Sequence, residues 1–265
     1  MERKTSIFSI LSLILLGCFV VKPAISDDSK RLLRDGIESF HEAYDSWDEK
    51  GFQLSLSLFE KASKAGFEDG LAEYWSGTLY FFLSLHNLFS TEKMPDKVRG
   101  IENAEKGIEI ATQSIDVSPS FSESYALRGV LRGILIKMKP LSVVRQGRKV
   151  GKDREKALFL DAYNPRVHYL TGVSFWFAPE ILGGSHRALE HLLEAERLFE
   201  KERQTPKDSF LPSWGQSTCL SFIGDVYFSQ KQNEKAFEYY GKALKINPND
   251  PLALKGIKKT GGMEY

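Results

Sequence analysis

Cysteine is almost missing from this chain. Its 265 residues include only Cys18 and Cys219. With Cys18 in the N-terminal segment, the body keeps one cysteine, which excludes an internal disulfide framework and a cysteine-based zinc site. Cys219 lies on an apolar helical stretch, where a small buried side chain is expected. An excess of either charge is also missing: 36 Lys and Arg stand against 35 Asp and Glu, a net charge of +1. Such a balance gives no overall electrostatic footprint for nucleic acid. No GxxxxGK[ST] loop, no GxGxxG after a strand, no Gly-x-Ser-x-Gly elbow and no HExxH pair occurs. His186 and His191 are five residues apart and miss the shared helical face that i, i+4 ligands need. The sequence therefore nominates no catalytic, cofactor-binding or metal residue, and an enzyme is not expected.

What is present begins with an export-like leader. "MERKTSIFSILSLILLGCFVVKPAISDD" has a basic start at Arg3 and Lys4, an apolar run from Ile7 to Val21, a break at Pro23 and then small residues. That order predicts a signal peptide over residues 1–26. The "LLGC" quartet ending at Cys18 offers a second cleavage, with 1–17 removed and Cys18 lipidated. Both readings place the mature chain outside the cytoplasm, periplasmic or secreted, or as an outer-membrane lipoprotein. Only the second reading ties the chain to a membrane, through a lipid anchor on Cys18, and no other membrane contact is expected. The remainder, 27–265, reads as one domain. Over the whole chain, 42% hydrophobic and 27% charged residues are the proportions of a globular protein.

Helical spacing dominates that body. In "KAFEYYGKALKINPND", Ala236, Tyr240 and Ala243 fall at i, i+4, i+7 on one face, with Pro248 beyond. Upstream, Gly224 and Tyr227 share a face and precede a polar turn at 230–233. Small residues on such faces let two helices approach closely. Residues 217–250 resemble a tetratricopeptide repeat (TPR), a helix-turn-helix unit of 34 residues. Leu220, Ile223, Gly224, Tyr227, Ala236, Tyr240, Ala243 and Pro248 occupy the signature positions.

The four-three spacing returns at Ser55, Phe59, Ala62, at Gly107, Ala111, Ser114, at Asp153, Ala157, Leu160, and at Ala188, Leu192, Ala195. "AEYWSGTLYFF" and "ESYALRGVLRG" read as first helices of such pairs. The expected fold is all-α, a right-handed TPR-like superhelix of about five helix-turn-helix pairs, because a single pair cannot bury its apolar face alone. The copies are unevenly spaced. Inserted loops are expected at "NLFSTEKMPDKVRG", "KPLSVVRQGRKVGKD" and "EKERQTPKDSFLPSWG". The tail after Pro251 should cap the array.

Three further features bear on function. In "GGS" at 183–185 the glycines make a turn and Ser185 is expected to cap the next helix. Between Lys137 and Lys156 lie eight basic residues, the makings of a surface for an anionic partner or simply a solvated loop and helix start. Aromatics crowd "YWSGTLYFF" and "VSFWFAPEILGGS". Three adjacent rings cannot all face a core, so Trp75, Tyr80, Phe175, Trp176 and Phe177 are candidate ligand or partner contacts.

The TPR resemblance implies a non-catalytic scaffold whose concave face binds another cell-envelope protein or a peptide segment of one. The segment "PEILGGSHRALEHLLEAERLF", 179–199, resembles the T-component proteins of TRAP transporters. That likeness implies an alternative: a periplasmic subunit that oligomerises, partners a solute-binding protein or permease, and handles a small apolar or carboxylate ligand near the Phe175–Phe177 stretch. No nucleic acid and no cofactor is expected on either reading.

Overall fold

The structure, a computed structural model, describes residues 26–66, 69–89, 95–180, 184–204 and 209–261. The predicted leader, 1–26, and the candidate lipidation site Cys18 lie outside these residues, apart from Ser26 itself. Eleven α-helices and one short 3-10 turn, Pro140–Ser142, make up the described secondary structure, and no strand occurs among these residues. The helices are α1 (Asp27–Ser46), α2 (Glu49–Lys64), α3 (Leu71–Phe89), α4 (Lys97–Val117), α5 (Ser122–Met138), α6 (Val143–Leu160), α7 (Pro165–Trp176), α8 (Gly184–Glu202), α9 (Gln216–Ser229), α10 (Asn233–Ile246) and α11 (Pro251–Lys259).

They stack as five antiparallel pairs, α1/α2 through α9/α10, with α11 closing the end against α9 and α10. The all-α superhelix expected from the spacing is what the chain forms. Caps fix many of the helix starts. Asp48, Asp96, Asn164 and Asp250 each accept hydrogen bonds from first-turn amides of α2, α4, α7 and α11. Ser26 does the same for α1, accepting from Ser29 N at 3.1 Å. Cleavage after Ser26 would remove that cap.

The pairing rests on one recurring fit. Each first helix carries a glycine, at Gly36, Gly77, Gly129, Gly172 and Gly224. Four of them, all but Gly129, meet the middle residue of the partner helix's four-three motif. A Cβ on Gly36 would stand 2.6 Å from the Phe59 ring, one on Gly172 2.7 Å from Leu192, and one on Gly224 2.6 Å from Tyr240. At Gly77 the added Cβ would lie 3.8 Å from that of Ala111 and meet Leu127 at 3.0 Å. At Gly129 it faces the Asp153 Cβ at 3.4 Å, the first residue of that motif. Removing one side chain lets two helix backbones close to ridge-into-groove distance over a full-sized partner.

Two local expectations are corrected. The segment 143–153, read as part of an inserted loop, is the first part of α6. Its inward residues are Gln146, Val150, Asp153 and Ala157, so two of the four are polar and the apolar period is masked. Asp153 is held indoors by Arg128 at 2.8 Å and by Arg132. Part of the uneven repeat spacing is therefore extra helix: α4 has 21 residues and α6 18, against 14 each for α9 and α10. Ser185 is also not the cap of α8. It sits within the first turn, and its amide and hydroxyl both reach Glu180.

Candidate functional site

The first helices line the inside of the coil. In an open superhelix they would present a groove, but here aromatic side chains fill it. Tyr44 of α1 packs on Phe82 of α3 at 5.1 Å, Phe82 on Trp214 at 5.3 Å, Trp214 on Tyr169 of α7 at 6.0 Å, and Tyr169 on Phe222 of α9 at 6.2 Å. Trp214 belongs to no helix. It stands in the segment 209–215 between α8 and α9, which folds back across the inner face. Its indole N–H donates to the Tyr74 hydroxyl at 3.1 Å. The Phe210 carbonyl accepts from the Trp75 indole at 3.2 Å, and the guanidinium of Arg34 lies over the Phe210 ring. Gly215 then turns the chain into α9 with φ of 105°, a left-handed conformation that suits glycine; a Cβ there would also press on Tyr169 at 3.3 Å.

A buried charge network underlies this segment. Arg166, on the first turn of α7, donates to Glu123 of α5 at 2.9 Å, to both carboxylate oxygens of Glu202 on α8, and to the Trp214 carbonyl at 3.4 Å. Glu123 also accepts from Asn164 at 2.8 Å and from the Tyr74 hydroxyl. Burial alone would pull the Arg166 guanidinium down, but the two carboxylates hold it above its ordinary value. Burial and the neighbouring Glu123 keep Tyr74 a phenol well past its usual range. The network locks α3, α5, α7, α8 and the 209–215 segment together. With every partner occupied, it is built for position.

The ends of the coil meet. The Asn247 and Asn249 side-chain amides donate to the carbonyls of Tyr44 and Asp45 at 3.1 and 3.0 Å, and the Tyr44 hydroxyl lies 3.3 Å from that of Thr218. At this seam opens a cavity of about 350 Å³. His41, Tyr44 and Asp45 line it from α1, Phe199, Glu202 and Arg203 from the end of α8, Ser213 to Gly215 from the crossing segment, Gln216 and Ser217 from the start of α9, and Ile246 from α10. His41 is 3.2 Å from Ser213 and is lowered by burial, so it is neutral near pH 7. The walls offer donors, acceptors, both charges and apolar surface, the means to hold a side chain or short segment. No group of three His, Cys, Asp or Glu residues able to hold a metal exists among the described residues. Burial drives the Cys219 thiol well above its usual range, which keeps it un-ionised and poorly nucleophilic.

The five aromatics nominated from sequence are not brought together. Trp75 is sealed in the core between Phe40 and Phe59, at 5.0 and 5.9 Å. Phe177 is buried against Phe222. Trp176 and Tyr80 are half-buried, Tyr80 over Gly107. Phe175 stacks on His191 at 5.6 Å beneath Arg154, whose guanidinium is 3.6 Å from the ring centre. His191 in turn faces His168 across 3.2 Å between Nδ1 atoms. Since His168 Nε2 meets the Ala162 carbonyl at 3.0 Å and must donate there, its Nδ1 accepts the proton of His191. Sequence spacing missed this pair, because His168 and His191 sit on different helices and meet only when α7 packs on α8. It missed Trp214 and Arg166 for the same reason: neither belongs to a motif, and their partners are supplied by folding.

Comparison with known proteins agrees with this architecture. Residues 218–250 match the tetratricopeptide repeat family model. No curated protein is similar enough to count as a match. Among solved structures, a thermophilic TPR protein of Thermus thermophilus superposes with a TM-score of 0.57 at 18% identity, over 87% of this chain and 97% of that one. The HusA haemophore of Porphyromonas gingivalis superposes with a TM-score of 0.59 at 14% identity, over 76% of this chain and 94% of that one. The chain carries a tetratricopeptide repeat at 218–250, set in a helical array with the fold of a TPR protein.

Proposed function

We propose that this chain is an exported, non-catalytic scaffold that grips a segment of another cell-envelope protein in the cavity at the seam of the coil. A TPR fold is an interaction fold, and its function resides in whichever surface the fold leaves free. The observation that carries the reading is convergence: α1, α8, the crossing segment, α9 and α10 all contribute side chains to one open cavity, while the rest of the inner face is occupied by the chain's own aromatics. Export rests on the basic start, the apolar run and the small residues of 1–26. A T-component-like ligand-passing role would set Trp75 and Trp176 along a shared cavity. The seam cavity is lined by neither.

A photo-crosslinking residue placed at Gln216 or Ile246 should trap a partner in cell-envelope extracts. The same residue at Leu54, exposed on the outside of α2, should not. Replacing Asp45 by Lys together with Ile246 by Asp should abolish the adduct. Equal trapping from Leu54, or adducts indifferent to the double change, would remove the seam cavity from consideration.

A further inference from the structure

The outward face of α6 carries a pattern that no inner-face role explains. The four most exposed large hydrophobics among the described residues all lie on it or beside it: Leu141 at 91%, Val144 at 89%, Phe159 at 83% and Tyr163 at 80%. Between them stand the exposed cations Arg145, Arg148, Lys149, Lys152 and Lys156, with Glu155 the one exposed acid of the helix. The first four make no ion pair among the described residues, and Lys156 lies 5.4 Å over the Phe159 ring. At 100° per residue, Val144, Arg148, Lys152, Glu155 and Phe159 fall in one sector, opposite the buried Gln146, Val150, Asp153 and Ala157. From Val144 to Phe159 this sector runs roughly 22 Å along the helix.

We infer that this face docks the protein on an anionic phospholipid surface, with α6 lying along the membrane plane. The layout decides between a membrane and a protein partner. A protein interface has an apolar centre depleted of charge and a polar rim. On α6 the order is reversed: cations occupy the middle and single apolar side chains stand out at the two ends. A bilayer interface accepts that arrangement, because protruding apolar side chains enter below the headgroups while the cations between them pair with lipid phosphates. Tyr163, ring and hydroxyl both exposed, suits headgroup depth. No described helix is long and apolar enough to cross a membrane, so the contact is peripheral. The inference stands independently of the seam cavity.

The test uses the full chain, with all variants in the same background so that any binding through residues 1–26 is common to them. Cosedimentation with phosphatidylglycerol vesicles is compared with phosphatidylcholine vesicles. The parent chain should prefer phosphatidylglycerol and lose that preference at high salt. R148Q/K152Q should weaken phosphatidylglycerol binding about thirtyfold, equivalent to about 1 kcal/mol for each cation removed. V144S/F159S should weaken binding to both vesicles while circular dichroism stays unchanged, since these side chains support no packing. No preference for phosphatidylglycerol, or binding untouched by both double variants, would overturn the inference. So would phosphatidylglycerol binding that V144S/F159S leaves unchanged, because the proposed contact needs the apolar side chains at its ends as well as the cations between them.

Discussion

The ring of Tyr240 covers Gly224 so closely that a Cβ on Gly224 would stand 2.6 Å from it, and a Cβ on Gly256 of the closing helix would stand 2.3 Å from the same ring. One aromatic thus sets the spacing of α9, α10 and α11. Its hydroxyl donates to Asp225 at 2.8 Å, so the ring cannot simply swing away.

Gly224→Ala should therefore destabilise the fold by about 1 to 3 kcal/mol, the usual cost of an overpacked core. Pairing it with Tyr240→Leu should recover part of that loss, because the smaller side chain gives the new methyl room. Urea denaturation of the two single variants and the double variant measures the coupling. Strict additivity would show that the contact does not set the helix spacing.

Trp214 is the plug of the inner face. Its replacement by Ala empties a site bounded by Phe81, Phe82 and Tyr169 and leaves the Tyr74 hydroxyl without its indole donor. The expected loss is about 3 to 5 kcal/mol. Hydrogen exchange should rise in α1 and α9, whose contacts close the seam. A variant with wild-type stability would mean that segment 209–215 rests on the surface of the coil and does not hold it shut.

Arg166 lies between the buried carboxylate of Glu123 and the partly exposed carboxylate of Glu202. Arg166→Met leaves Glu123 in the interior without its cation, a change that costs roughly 3 to 5 kcal/mol. Adding Glu123→Gln should give back part of it, since the neutral amide needs no counter-charge. Thermal melts of the single and double variants test this; a double variant less stable than the sum of its parts would contradict the account.

His191 should make the fold acid-sensitive in a defined window. Burial first, then His168 and the guanidinium groups of Arg154 and Arg187, lower it from 6.5 to about 4, while Glu190 opposes the shift. Its folded value lies below its unfolded one, so the unfolded chain takes up the proton first as pH falls. The contribution is full above pH 6.5 and is lost toward pH 4. His41 and His168 are lowered as well and add slope of the same sign. Burial raises Asp225 and Asp250, which act in the opposite sense above pH 3.8. His191→Asn should flatten the fall in urea midpoint between pH 7 and 4.5 relative to the parent chain. An unchanged slope would exclude His191 as its source.

Much of the fold could be read from residue spacing. A glycine and its partner need only the right interval on each helix, so Gly224 with Tyr240 was visible, as was the run of four-three motifs through Ala111 and Leu192. The second half of α6 was visible in Asp153, Ala157 and Leu160, but its first half escaped because Gln146 and Asp153 face inward, Asp153 held there by Arg128 and Arg132, and a polar pair masks the apolar period. The candidate contacts fared differently. Trp75 and Phe177 belong to aromatic-rich stretches that look too crowded for one core face, but Phe40 of α1 and Phe59 of α2 cover Trp75 and Phe222 of α9 covers Phe177, so even neighbouring rings find cover.

The sequence by itself determined that the chain would be helical, paired and stacked, because small and large residues at helical intervals specify local contacts along the chain. Only the tertiary structure decided that the coil's inner face would be filled and its ends joined. Those outcomes depend on Trp214 meeting Tyr74 and on Asn247 meeting Tyr44. Contacts separated by such lengths of chain leave no periodic trace, and they exist only once the intervening helices fix where each partner stands.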